Sequence, residues 1–233
     1  MLDISAIKAI AFDLDHTLWD HESAQTYALT CLCDCYGLEP NDVLPVYQRH
    51  NLEIWAKLED GLMTMDEARS ARFERTLAEL GIDGLDSANL FQEYRDYYLE
   101  KPSVVAGARE IVAWCAERWP VFVFTNGAID TQRPKMELCG LDGMVRELIT
   151  SETAGAMKPS KVFYDYALQR VGLSPNQILF VGDSWKTDIA GGKSAGLCVA
   201  WFNPLSAPTP NETTCRADLE IRGFSDLKLK LTR

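Results

Sequence analysis

Two aspartates separated by one residue, Asp13 and Asp15, lie at the end of a short apolar run, residues 7–14, that predicts a buried strand. Where a strand turns into a loop, such a pair can be aimed into one pocket, by side chain or by main-chain carbonyl. One carboxylate can then act as a nucleophile while the other serves as acid and base. On this string alone, an acidic turn that caps a helix remains an equal alternative.

Two further segments offer hydroxyl, amide and ammonium donors. Thr125 and Asn126 follow the apolar run at residues 121–124, and their donors, beside a glycine, suit a phosphate oxygen. Lys158 precedes a proline and a helical pattern, and the proline fixes the chain so that the ammonium can point at a defined place. Each segment alone is also explained as a turn or a cap.

A fourth polar segment contains Asp183 and Asp188 and follows the apolar run at residues 178–181. Another such run lies at residues 198–201, and helical patterns lie between the runs. Strands that alternate with helices predict crossover connections and a mostly parallel sheet, and hence an α/β fold. Ligands bind at the carboxyl ends of the strands in such sheets, so we expect all four segments at one edge.

The pattern between the first two strands is helical. Apolar residues first recur at helical spacing there, at Tyr27, Ala28, Cys31, Leu32 and Cys35. This spacing places Cys31 and Cys35 on the packed face, so we interpret the cysteines as core residues and not as metal ligands. Further along, Thr64 and Glu67 form a capping-box pattern, and Gly81 can end that helix.

The domain organisation follows from these patterns. We predict an α/β catalytic core formed by residues 1–19 and 104–233, with a helical domain inserted at residues 20–103. A chain of 233 residues is long enough for one domain with a sizeable insertion.

Taken together, the segments DLDHT, TNG, MKPSKVF and GDSWKTD resemble the haloacid dehalogenase superfamily, and specifically its phosphatases with a helical cap after the first strand. The resemblance covers nearly the whole chain. The segments from TNGAIDTQRPKMELCGL to VGDSWKTDIAGGKSAG look most like the house-cleaning 5′-nucleotidases and their relatives that act on sialic acid phosphate. The implied fold is a Rossmann-like parallel-sheet core with an inserted α-helical cap.

The resemblance also implies a catalytic mechanism. Asp13 would attack phosphorus and form an aspartyl phosphate, and Asp15 would protonate the leaving alkoxide and then activate water. Thr125, the Asn126 backbone and Lys158 would hold the phosphate oxygens. Members that cleave carbon–halogen bonds lack an acid at the position of Asp15, so its presence favours phosphoryl chemistry.

The cofactor implied by the resemblance is Mg²⁺, with the Asp13 carboxylate, the Asp15 backbone carbonyl and the Asp183 carboxylate as ligands. Asp188 would fix Lys158 or a metal-bound water. Trp19, directly after the first motif, is predicted to line the pocket. His16 stands where glycine is frequent in the family and is assigned no catalytic role.

Charge and composition limit the partners. The chain has 23 basic and 34 acidic residues, with a net charge of −11, and no basic run offsets this charge locally. We therefore expect a small phosphorylated metabolite and no nucleic acid polymer. No apolar run approaches the roughly 20 residues that span a bilayer, so no membrane partner is expected. An odd number of cysteines and no signal-peptide pattern predict a cytoplasmic protein, as a monomer or a homodimer.

The function predicted from these features is Mg²⁺-dependent hydrolysis of small phosphate monoesters, with nucleoside 5′-monophosphates as the expected substrates. Sugar phosphates, phosphoglycolate and sialic acid phosphate stay open as alternative substrates. A sugar phosphomutase would use the same aspartyl phosphate, and a non-catalytic phosphate sensor would require one of the key groups to be missing.

Overall fold

A parallel sheet forms the centre of one of the two compact units in the computed structural model, which describes residues 2–210 and 214–232. Its strands are β1 (Ala9–Phe12), β2 (Val121–Thr125), β3 (Glu147–Thr150), β4 (Ile178–Gly182), β5 (Cys198–Phe202) and β6 (Leu219–Ile221). Within the described residues the sheet has six strands in the order β3-β2-β1-β4-β5-β6, and every pair is parallel.

Helices fill both units. They are α1 (His21–Tyr36), α2 (Pro40–Glu59), α3 (Met65–Leu80), α4 (Ser87–Tyr98), α5 (Ala108–Ala116), α6 (Ile129–Leu138), α7 (Ser151–Ala154), α8 (Lys161–Val171), α9 (Gly191–Ser194) and α10 (Phe224–Leu231). A short π-helical segment, Trp185–Ala190, leads directly into α9. A search of the described helices for one long and apolar enough to cross a membrane finds none.

The inner strands form where the sequence is apolar without alternation. Every residue of β1, β2 and β4 is buried, as expected for a parallel sheet covered on both faces. The four predicted runs became β1, β2, β4 and β5, and the α/β prediction is confirmed. The short strands β3 and β6 were not predicted, since each has only three or four residues and is partly exposed.

The order of the strands places β1 at the reversal point of the sheet. The chain passes from β1 outward to β2 and β3, and then returns to the other side of β1 to form β4. The Asp13 N–H donates to the Val181 carbonyl over 2.8 Å, which extends the pairing of β1 with β4 by one residue. In parallel sheets, such a reversal opens a crevice at the carboxyl ends of the two strands.

The second unit, His21–Pro102, contains α1 to α4. The predicted capping box is confirmed, because the Thr64 side chain accepts from the Glu67 N–H and the Glu67 side chain accepts from the Thr64 N–H. Gly81 ends α3 in the left-handed conformation, with φ at 65°. The predicted packed face of α1 is wrong, since Cys33 is buried and Cys35 is exposed.

The chain divides into two compact units, and their roles as catalytic core and helical cap stay predictions. The first unit comprises Met1–Asp20 and Ser103–Arg233, so each boundary differs by one residue from the prediction. Residues 1, 211–213 and 233, which the predicted core range includes, lie outside the described residues.

Replacing Phe180 by alanine tests how the sheet is stabilised. Phe180 in β4 is fully buried, with its ring centroid 5.4 Å from that of Phe124 and 6.3 Å from that of Tyr164. We expect Phe180→Ala to lower the free energy of unfolding by about 3–5 kcal/mol, because the cavity cannot collapse in a covered sheet. Urea denaturation measures this loss. The control is Val162→Ala at a 56% exposed position of α8, and an equal loss there would contradict the reasoning.

Candidate active site

The polar residues at the ends of the inner strands meet at one edge of the sheet. Asp13 follows β1, Thr125 ends β2, and Asp183 follows β4. Carboxylate oxygens of Asp13, Asp183 and Asp188 all lie within 4.8 Å of one another. The fold therefore brings together three acids that lie far apart in the sequence.

Lys158 provides the positive charge within this cluster. Its Nζ donates to Asp13 Oδ1 over 2.6 Å, to Asp188 Oδ1 over 2.7 Å and to the Phe124 carbonyl over 2.8 Å. An ammonium has three donors, so these three contacts use all of them. The Lys158 side chain is only 2% exposed, which makes the ion pairs much less screened than surface pairs.

The backbone of Lys158 is fixed by the side chain of Asn126. The Lys158 N–H donates to Asn126 Oδ1 over 2.6 Å, and Asn126 Nδ2 donates to the Lys158 carbonyl over 2.9 Å. Ser151 Oγ in turn donates to the Asn126 carbonyl over 2.8 Å. The amide side chain of the TNG segment thus joins the end of β2 to the loop that carries the lysine.

Asp188 is held by donors around both of its oxygens. Thr187 Oγ1 donates to Asp188 Oδ1 over 3.0 Å, and the Ser184 N–H donates to Asp188 Oδ2 over 3.0 Å. Gly182 permits this approach, because a Cβ at that position would lie 2.4 Å from Asp188 Oδ2. The residue lies in the π-helical segment Trp185–Ala190. With both oxygens engaged, Asp188 is placed to fix Lys158.

The electrostatics of the cluster favour a bound cation. Burial raises the pKa of the Asp13 carboxyl well above its usual range, although Lys158 opposes this shift. Burial and the neighbouring Asp188 raise the pKa of Asp183 to about 7. Burial opposes the charge on Lys158, but Asp13 and Asp188 together raise its pKa. Three carboxylates around one ammonium leave an excess of negative charge that one more cation would neutralise.

The donor set fits Mg²⁺. The cluster offers hard carboxylate oxygens from the buried Asp13 and the partly buried Asp183, which is the ligand chemistry that this ion prefers. Asp183 is supported from both sides, because Thr17 Oγ1 donates to its Oδ1 over 3.3 Å and Trp201 Nε1 donates to its backbone carbonyl over 2.8 Å. The ligand assignment itself stays a prediction.

Asp15 is separate from the three-carboxylate cluster. Its Oδ1 accepts a hydrogen bond from Lys135 Nζ over 2.5 Å, and its Oδ2 accepts one from Gln132 Nε2 over 2.8 Å. Burial lowers the pKa of Lys135, and the contact with Asp15 opposes that shift. Both partners lie on α6, and the sequence reasoning missed them. The available signal was a glutamine and a lysine three residues apart, five and eight residues after the TNG segment.

Two residues beside Asp15 have distinct environments. Trp19 is fully buried, and its ring centroid lies 5.8 Å from Lys135 Nζ; its contact with a ligand stays a prediction. His16 has a φ of 62°, in the left-handed region that favours glycine. Glycine adopts this conformation without steric cost, whereas the Cβ of a histidine makes it unfavourable.

Comparisons with known proteins agree on one family. The model of a hydrolase family, described as haloacid dehalogenase-like hydrolase, matches residues 7–196. The chain is similar to the HAD-hydrolase YfnB of Bacillus subtilis, at 32% identity over 94% of this chain and 93% of that protein. A crystal structure of YfnB bound to magnesium has a TM-score of 0.88 and 31% identity, covering 97% of this chain and 99% of that one.

Two curated relatives are named as nucleotidases. The pyrimidine 5′-nucleotidase PynA of Streptococcus pneumoniae is 30% identical, over 94% of this chain and 93% of that protein. The pyrimidine 5′-nucleotidase YjjG of Escherichia coli is 29% identical, over 83% of this chain and 85% of that protein. The chain therefore spans most of the length of each.

Replacing Lys158 by methionine tests the central ion pairs. We expect a loss of about 3–5 kcal/mol in the free energy of unfolding, because Asp13 and Asp188 would stay buried without their shared cation. Urea denaturation in the presence of EDTA measures the loss. Lys161→Met is the matched control, since it breaks a lysine–aspartate pair with Asp165 in which the lysine is 85% exposed. Similar losses in both variants would show that the buried ion pairs contribute no more to the free energy of unfolding than an exposed pair does.

Proposed function

The chain belongs to the haloacid dehalogenase-like hydrolase family, and we propose that it is a Mg²⁺-dependent phosphatase that hydrolyses small phosphate monoesters through an aspartyl phosphate on Asp13. The observation that carries this proposal is that the two aspartates of the first motif, Asp13 and Asp15, lie in different environments. Asp13 lies in the charged cluster with Lys158, whereas Asp15 lies outside it and contacts Lys135. Nucleophile and acid–base functions require two carboxylates in different environments, and this pair meets that requirement.

The first half-reaction is a transfer of the phosphoryl group to Asp13. An oxygen of the Asp13 carboxylate attacks phosphorus in line with the ester oxygen, and the bond from phosphorus to that oxygen breaks. Asp15, protonated at this stage, gives its proton to the leaving alkoxide. Mg²⁺, which Asp13 and Asp183 would hold, would supply positive charge that reduces the repulsion between the anionic nucleophile and the anionic substrate.

The second half-reaction returns the protein to its starting state. Asp15, now a carboxylate, takes a proton from a water molecule that attacks phosphorus. The bond between phosphorus and the Asp13 oxygen breaks, inorganic phosphate leaves, and Asp15 is again protonated. The same residue therefore serves as acid and then as base.

Thr125, the Asn126 backbone and Lys158 are the proposed contacts of the phosphate oxygens. All three donors of Lys158 are engaged in the described structure, so the lysine must exchange one hydrogen bond to contact a phosphate oxygen. We assign the exchange to Asp13, because Asp188 and the Phe124 carbonyl keep the ammonium in place. The Lys158 ammonium then contacts the negative charge first on the Asp13 carboxylate and afterwards on the transferring phosphoryl group.

Nucleoside 5′-monophosphates are the substrates that we propose. Two curated relatives of nearly the same length as the chain are named as pyrimidine 5′-nucleotidases, which supports this class. We place the reaction in the cytoplasm, since none of the seven cysteines, all within the described residues, is in a disulfide.

Phosphate release tests the reaction. Purified protein should release inorganic phosphate from at least one nucleoside 5′-monophosphate in the presence of Mg²⁺, and EDTA should abolish the release. Asp13→Asn should lower kcat/KM at least about a thousandfold, because it removes the nucleophile. Asp165→Asn, which changes an exposed acid of α8, is the control and should keep the wild-type rate. Wild-type rates in Asp13→Asn would exclude the proposed nucleophile.

A substrate panel tests the proposed substrate class. Pyrimidine and purine nucleoside 5′-monophosphates, sugar phosphates, phosphoglycolate and sialic acid phosphate are compared by kcat/KM. We expect the best nucleoside monophosphate to exceed the other classes by about tenfold or more, since contacts to the leaving group set such ratios. A higher kcat/KM for another class would replace the nucleotide assignment. Phosphate release that requires a bisphosphorylated activator would instead indicate a sugar phosphomutase.

A further inference from the structure

Helix α6 holds both carboxylate oxygens of Asp15. Lys135 Nζ lies 2.5 Å from Oδ1, and Gln132 Nε2 lies 2.8 Å from Oδ2. The Lys135 side chain is only 4% exposed, whereas that of Asp15 is 27% exposed. One contact to each oxygen fixes the plane of the carboxylate.

Gln132 also orients the hydroxyl of Thr125. Its Nε2 donates to Thr125 Oγ1 over 2.6 Å, and the Gly127 N–H donates to the same oxygen over 3.3 Å. A hydroxyl accepts two hydrogen bonds and donates one, so its proton remains for an anionic oxygen. The Gln132 amide thus orients both Asp15, the proposed acid–base residue, and Thr125, a proposed phosphate-binding residue.

The surroundings of Gln132 fit a glutamine whose Nε2 group donates to Asp15 and Thr125. Gln132 is fully buried, and its Oε1 has no hydrogen-bond partner among the described residues, an arrangement that costs free energy. A Cβ at position 127 would lie 2.3 Å from Gln132 Nε2, so only glycine there permits this placement of the amide. An apolar residue at position 132 would avoid the unpaired oxygen. A role for the Nε2 donors explains why a glutamine is present instead.

We propose that Gln132 and Lys135 are positioning residues for proton transfer, which hold the Asp15 carboxylate in the direction that both half-reactions require. This inference rests on the proposed function and adds two residues to it. Proton transfer depends steeply on the direction and distance between donor and acceptor, and a single carboxylate must here serve the leaving oxygen and then a water. Two fixed contacts from one buried helix face supply that direction.

The test uses leaving groups that differ in their need for a proton. In Gln132→Leu and Lys135→Met, kcat/KM for the best alkyl phosphate ester of the panel should fall about a hundredfold, because its alkoxide needs the proton from Asp15. For p-nitrophenyl phosphate, the loss of kcat/KM should be at least about twentyfold smaller, since nitrophenolate leaves without a proton. Any loss that Gln132→Leu causes through the Thr125 hydroxyl is common to both esters and leaves this ratio unchanged. A general loss of structure would lower both values by the same factor.

A burst experiment examines the second half-reaction in the same variants. The attack of water also depends on Asp15, so hydrolysis of the aspartyl phosphate should become slow. Rapid mixing with p-nitrophenyl phosphate should then show a burst of about one nitrophenolate per active site before the steady state. Absence of either the burst or the difference between leaving groups would overturn the inference that both half-reactions depend on these two contacts.

Two further variants complete the design. Gly127→Ala displaces the Gln132 amide without removing a polar group, and it should reproduce the difference between leaving groups even if Lys135→Met does not fold. Lys193→Met breaks another lysine–aspartate pair of the same unit, 2.9 Å from Asp218, and should change neither substrate's kcat/KM. A wild-type protein that hydrolyses neither ester would overturn the proposed function itself. If the wild-type protein is active but the variants lose kcat/KM by the same factor on both esters, only the positioning role of Gln132 and Lys135 is overturned.

Discussion

The site depends on one buried ammonium that lies between two carboxylates. Lys158 contacts Asp13 and Asp188 in a place where water cannot screen the charges, so each group is stable there only while the others are present. This mutual dependence accounts for the features around it. Gly182 leaves room for Asp188, and Asn126 clamps the backbone of the lysine. These are the conditions under which three charges can stay buried at the edge of a sheet.

The parallel sheet is what makes such a cluster possible from distant parts of the chain. Asp13 and Lys158 are separated by 145 residues, and Asp15 and Lys135 by 120. Parallel strands place their carboxyl ends on one side, and the reversal of strand order beside β1 leaves that side open for a ligand. A second unit can be inserted after β1 without disturbing this arrangement, since hydrogen bonds between the strands, and not the connections, set the register.

The sequence predicted those parts of the structure that depend on a local pattern of residues. Apolar runs predicted the inner strands, and the polar residues directly after them predicted which groups would meet. Helix α6 gave no such signal, because its buried residues are Gln132, Lys135 and Met136, so the packed face is mostly polar and lacks apolar periodicity. Pro134 within it further weakens a helical pattern. The contacts of Asp15 therefore became evident only once the fold had placed Gln132 and Lys135 of α6 beside the loop that follows β1.

Two lysine–aspartate pairs of similar length serve different purposes because their surroundings differ. In the pair of Lys158 and Asp13, both side chains are at most 10% exposed, and two further carboxylates lie close by. This crowding keeps the ammonium charged and makes a second cation favourable, which suits a nucleophile that must meet an anionic substrate. In the pair of Lys135 and Asp15, the carboxylate is partly exposed and lies outside the crowded cluster. In the proposed reaction, Asp15 would therefore exchange protons with water and with a leaving group while α6 keeps its direction. A single sheet edge would then hold the proposed nucleophile and the proposed acid–base residue two positions apart.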